Sequence, residues 1–143
     1  MKELNWNLIL QLSMYGCAMA IATVFWIPSS VEPFFWMAIF ILCAVVIART
    51  VTAKYFLHGF TVSLVNCVWI TSAHIIFFSS YMANHAQEAT MMASGPFASS
   101  PRLMMAITGP VFGIVSGLVL GLFAFVAGKL FGKGRVKDDV PGV

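Results

Sequence analysis

Residues 108–131 read TGPVFGIVSGLVLGLFAFVAGKLF. This stretch carries one charge, Lys129, near its end. At 1.5 Å per residue, a helix of this length exceeds the roughly 30 Å hydrocarbon core of a bilayer. Glycine recurs every four residues, at Gly109, Gly113, Gly117 and Gly121, and Ser116, Ala124 and Gly128 extend the run of small side chains. Each step of four turns about 40° round a helix, so these positions form a slowly spiralling groove, a glycine zipper. Association in lipid depends on such close packing, because apolar side chains gain nothing by leaving lipid tails. Gly109, Gly113, Ser116, Gly117, Gly121 and Gly128 are therefore the expected helix-packing residues. The pattern admits two partners, a helix of the same chain or a helix of a second subunit.

Working outward, three more apolar stretches appear, so that spans are expected at about 4–27, 34–53, 56–81 and 103–131. The composition agrees. Of 143 residues 60% are hydrophobic and only 9% charged, against about 25% charged in a soluble domain. So few charges cannot cover a soluble globule, and so apolar a chain is not a disordered one. In the first stretch Trp6 and Trp26 stand about 30 Å apart along a helix, a pair of interfacial anchors. Ala18-Met19-Ala20 resembles a signal-cleavage site. The apolar run nevertheless continues to Ile27, and Asn7 and Gln11 would lie in the signal core, so a retained anchor is expected. Cys17, Cys43 and Cys67 each sit within an apolar run and form no CxxC, so neither a redox motif nor a zinc ribbon is indicated.

Pro28-Ser29-Ser30-Val31-Glu32-Pro33 is a turn whose prolines end one helix and start the next, predicting a hairpin of spans one and two. The longest connection, about 82–102, holds Gly95, Pro96 and Pro101, and its first part is free of Gly and Pro to residue 93, which fits a short interfacial helix. Thr108-Gly109-Pro110 allows either a helix start near Pro110 or one longer helix kinked there. Lys2, Arg49, Lys54, Lys129, Lys133, Arg135 and Lys137 fall on one side of the four spans and only Arg102 on the other. This bias predicts cytoplasmic termini, a basic cytoplasmic tail over 132–143 and an outer loop over 82–102. The net charge of +3 is too small for a nucleic-acid surface.

Polar groups within spans are expensive in lipid and are the natural functional candidates. Asn66 and His74 are two helical steps of four apart, with Thr71 nearby, and together they could line a proton or solute path. The alternative is plain hydrogen bonding to neighbouring helices. Arg49, Lys54 and His58 mark the connection between spans two and three, either snorkelling to the interface or contacting an anionic head group. His85 and Glu88 would be neighbours on a helix, and with Met82, Met91 and Met92 they resemble a soft metal set. Nine Met in an apolar chain also cluster by chance, and the expectation is no metal. Only five acidic residues exist. No Walker A, GxSxG or HExxH is present, and the carboxylates of a di-metal bundle are lacking. No catalytic residue and no cofactor are therefore expected.

Gly59-Phe60 opening the third span, the long loop leading to Arg102, Gly109-Pro110 and the Gly117-Leu118-Val119-Leu120-Gly121 run resemble the small uncharacterised four-helix inner-membrane proteins of bacteria. The resemblance covers the C-terminal two-thirds and implies topology without a mechanism. The whole chain reads as one all-α domain, a polytopic membrane protein with four transmembrane helices in an antiparallel up-down bundle. Its expected partners are the lipid bilayer and further copies of itself or other membrane subunits, with no nucleic acid. Its expected role is structural or accessory in the inner membrane. The alternatives are a small-solute, ion or proton transporter or channel, and a small enzyme acting on lipid or glutathione-type substrates.

Overall fold

A computed structural model describes residues 3–132. Lys2, Lys133, Arg135 and Lys137, and the tail from residue 133 onward, lie outside the described residues. The described chain is all-α, with six helices: α1 (Trp6–Phe25), α2 (Glu32–Thr50), α3 (Tyr55–Ile76), α4 (Phe78–Asn84), α5 (Ala86–Ser94) and α6 (Pro101–Phe131). Four of these, α1, α2, α3 and α6, are long and apolar enough to cross a membrane.

Local chemistry sets most of the ends. Asn5 caps α1, its side chain accepting from the Leu8 N–H at 3.1 Å. Pro33 occupies the first turn of α2, where a missing N–H costs nothing. Pro101 does the same for α6. Of the two courses open at Pro110, the chain takes the single long helix: Pro110 lies inside α6, so residues 101–108 belong to it. Lys54, just ahead of α3, has φ 56° and ψ 36°, the left-handed region that side chains disfavour.

Two boundaries differ from the sequence reading. The third span was expected to reach Tyr81, but α3 stops at Ile76 and a separate short helix, α4, follows. Neither Gly nor Pro marks this break. The segment expected as the outer loop holds the end of α4 and all of α5.

The order of packing also differs. Spans one and two are joined by a short turn, yet α1 and α2 barely touch. Instead α1 packs on α3, α3 packs most extensively on α6, and α6 carries α2. Small residues decide this. A Cβ built on Gly113 would strike Cys67, one on Gly117 would strike Phe60, and one on Gly121 would strike Phe56. Thr71 and Tyr55 stand in the same relation to Gly109 and Gly128. As the α6 numbers rise the α3 numbers fall, so the two helices run antiparallel. Gly59 answers from α3: its Cβ would lie 2.7 Å from the Leu120 carbonyl oxygen and 3.0 Å from Cα of Gly121. At that level the two backbones are in contact. Within this chain, the third span occupies the glycine groove of α6.

Two apolar clusters fill the interior. One joins Leu8, Ile9 and Leu12 of α1 to Cys43, Ala44, Ile47 and Ala48 of α2, Val62 of α3 and Leu120, Ala124 and Ala127 of α6. The other lies toward α4 and joins Ala20, Val24, Ala73, Tyr81 and Met105. Large side chains such as Phe34, Val68, Phe112 and Leu130 face outward.

Gly59→Ala is expected to destabilise the fold by about 1–3 kcal/mol, since neither backbone at the crossing can retreat. Lys54→Gly is expected to stabilise it by about 1 kcal/mol through relief of the left-handed conformation. Thermal denaturation in detergent checks both, and a Gly59→Ala protein as stable as the parent would contradict the crossing.

Candidate functional site

The polar side chains of α3 divide between its neighbours. Toward α6, Ser63 Oγ donates to the Gly113 carbonyl at 3.4 Å and Cys67 Sγ to the Gly109 carbonyl at 3.1 Å. Thr71 belongs to this side, its side chain occupying the space that Gly109 leaves open. Toward α1, Trp69 Nε1 donates to Ser13 Oγ at 3.3 Å. On that side too, Asn66 packs onto Gly16 and His74 Nε2 lies 3.2 Å from Thr23 Oγ1. The Thr23 hydroxyl gives its hydrogen to the Ala20 carbonyl at 3.1 Å, so its oxygen accepts and His74 Nε2 carries the N–H. Of the three residues expected to line a path, Asn66 and His74 share the α1 side and Thr71 is turned to α6. Asn66 is buried, and neither its Oδ1 nor its Nδ2 has a hydrogen-bond partner.

The end where α1 begins holds the expected basic group. Arg49 and Lys54 are exposed, whereas His58 is 2% exposed and faces inward. Its Nε2 accepts from the Asn5 N–H at 3.0 Å, and its Nδ1 stands 2.8 Å from the Lys54 carbonyl. A carbonyl only accepts, so Nδ1 holds the hydrogen and Nε2 the lone pair. The ring is thereby fixed as one neutral tautomer, with no nitrogen left for a head group. The same carbonyl takes the His58 backbone N–H at 3.0 Å, which helps hold Lys54 in its strained conformation.

The opposite end gathers Glu32, His74, Tyr81, His85 and Glu88. His74, Tyr81 and His85 form a stack, with ring centroids 3.9 Å apart for the first pair and 4.2 Å for the second. The spacing follows from α4, since Tyr81 and His85 are one helical turn apart. Burial pushes the Tyr81 phenol above its ordinary range, and the Glu32 and Glu88 carboxylates push it the same way, so this ring stays neutral. Glu32, in the first turn of α2, accepts from Trp36 Nε1 at 3.0 Å through Oε1 and points Oε2 at His85 Nε2, 3.8 Å away. Asn84 Nδ2 donates to the Val24 carbonyl at 2.8 Å and ties the end of α4 to α1.

The expected metal candidates lie here as well. His85 is fully buried, Glu88 and Met82 are partly buried, Met92 packs against the second cluster and Met91 is exposed. Among the described residues, no group of three or more His, Cys, Asp and Glu could hold a metal ion. Sequence reasoning missed two contributors. Gly16 makes room for Asn66, and Glu32, taken as a turn residue, faces His85. A lone glycine in span one and an acid between prolines carried no distinguishing signal.

Comparison with protein-family models, with curated proteins and with solved structures finds no match to this chain.

Asn66→Leu keeps the shape of the side chain and removes two buried polar atoms without partners. It is expected to raise stability by about 1–3 kcal/mol, read as a higher melting temperature in detergent. A lower one would mean that the amide is satisfied in the membrane. His58→Phe strands the Asn5 N–H and is expected to cost about 1–3 kcal/mol in the same assay.

Proposed function

We propose that this chain is an integral protein of a bacterial inner membrane, four spans in an antiparallel bundle with both termini in the cytoplasm, acting as a helix-packed accessory or scaffold subunit. The observation that carries the reading is the outward apolar surface. Large hydrophobic side chains face outward on all four long helices, including Trp6 and Met14 on α1, Phe34 and Ile41 on α2, Val68 on α3 and Phe112 and Leu130 on α6. Lipid or another membrane subunit is the medium that such a surface suits. The glycine groove, which could have served a second subunit, is taken up by α3. Of the four long helices α2 is the least buried, which leaves most of its face for lipid or a neighbour. Exposed Arg49 and Lys54 at one end, with Arg102 the one Lys or Arg at the other among the described residues, support the proposed orientation. The resemblance to small four-helix inner-membrane proteins points the same way.

The transport reading draws less support, because its proposed lining residues divide between two helix interfaces.

Native mass spectrometry of protein released directly from membranes tests the role. The expected result is a defined homo-oligomer or a complex with another membrane protein. A monomer carrying lipid alone, with His74-dependent flux in proteoliposomes, would replace this reading with transport. Reporter fusions at the two termini test the orientation, and reporters on opposite faces would overturn it.

A further inference from the structure

The stack at the α4–α5 end contains a hydrogen-bonding mismatch that apolar packing does not explain. His85 Nδ1 lies 3.1 Å from the Tyr81 carbonyl, an acceptor only, so Nδ1 must carry a hydrogen. Nε2 then decides the charge of the ring. It is buried, has no hydrogen-bond partner, and faces Glu32 Oε2 at 3.8 Å. Without a proton, its buried lone pair would confront the carboxylate of the partly exposed Glu32. A second carboxylate oxygen, Glu88 Oε2, is also buried without a hydrogen-bond partner. Two acidic side chains and one half-satisfied imidazole thus lie at the same end of the protein, and the site is short of positive charge.

We infer that this end of the protein is a proton-binding site, in which a proton on His85 Nε2, facing the Glu32 carboxylate, holds the α4–α5 segment against the first turn of α2. The binding step is the addition of a proton to the Nε2 lone pair, giving an imidazolium whose two N–H groups face the Tyr81 carbonyl and Glu32. The surrounding groups are few. α2 supplies Glu32, α5 supplies Glu88, α4 supplies the neutral Tyr81, and α3 supplies His74, stacked on the far face of Tyr81. α1 contributes the uncharged Thr23 and the Val24 carbonyl. α6 contributes Met105, and its cation at this end, Arg102, lies over the Phe78 ring, 5.1 Å from its centroid. The Glu32 carboxylate favours the protonated ring, a charged His74 would oppose it, and among the described residues no Lys or Arg is placed against His85. The inference stands apart from the accessory-subunit reading, since the site holds its proton whatever the bundle associates with.

His58 is the internal control. Its Nε2 already accepts from the Asn5 N–H, so it cannot take a proton without breaking that bond. The test is nitrogen-15 NMR of histidine-labelled full-length protein in lipid nanodiscs, titrated across the ordinary imidazole range near pH 6.5. His85→Gln and His58→Gln assign the signals. On acidification the His85 signal is expected to move to the imidazolium position while His58 stays neutral. In Glu32→Gln the His85 change is expected to need a lower pH, because the charge favouring the proton has gone. Amide exchange over residues 86–94, corrected for intrinsic pH dependence, is expected to quicken as the proton leaves. Should Glu32→Gln misfold, Glu32→Asp, which draws the carboxylate back from the ring, is expected to move the His85 change in the same direction. A His85 ring that stays neutral while the protein remains folded would overturn the site. So would a titration that neither carboxylate variant moves. Unaltered exchange over 86–94 would overturn the clamp.

Discussion

The fold depends on the backbone contact between α3 and α6. Gly59 meets the Leu120 carbonyl and Gly121 at a separation that leaves no room for a Cβ, and Gly109, Gly113, Gly117 and Gly128 continue the contact along α6. In lipid there is no solvophobic gain from bringing apolar side chains together, so stability comes from close packing and from hydrogen bonds across the interface. This interface has both: the same approach brings Ser63 and Cys67 within reach of carbonyls on α6. Once α3 is committed to α6, its opposite side is left for α1, and α2 takes the remaining side of α6. Chain order therefore does not set spatial order, and the tight turn between α1 and α2 joins two helices that scarcely meet.

The four long helices were legible because their signal is redundant. Length, low charge, flanking Trp and paired prolines all agree. The break after Ile76 was not legible, since HIIFFSSY contains no residue that forbids a helix. The choice at Pro110 was open because one proline is compatible with a start or an interior position, and tertiary packing decided it. The glycine repeat announced close approach but not by whom. The complementary surface consists of ordinary residues, Phe56, Phe60, Cys67 and Thr71, which carry no periodic mark.

Buried polar groups show the same division. That Asn66 and His74 would share a side followed from their spacing, and both do meet α1. What they meet did not follow, because Gly16 and Thr23 lie some fifty residues away in sequence. The two buried histidines illustrate why residue type alone says little about chemistry. His58 has a backbone donor at one nitrogen and a carbonyl at the other, which leaves it neutral and structural. His85 has a carbonyl at one nitrogen and a carboxylate beyond hydrogen-bond range at the other, which leaves a place for a proton. The difference lies in the partners, and these are set by α1 and α2.

The account rests most directly on α3 and α6 of one chain lying in backbone contact. Spin labels on cysteines placed at Val68 and Phe112, outward-facing positions next to the Cys67–Gly113 contact, with Cys17, Cys43 and Cys67 replaced by alanine, measure this in lipid nanodiscs. The predicted result is a short, narrow label-to-label distance that persists when labelled protein is diluted with unlabelled protein. A long or broad distance, or a short one that disappears on dilution, would contradict it.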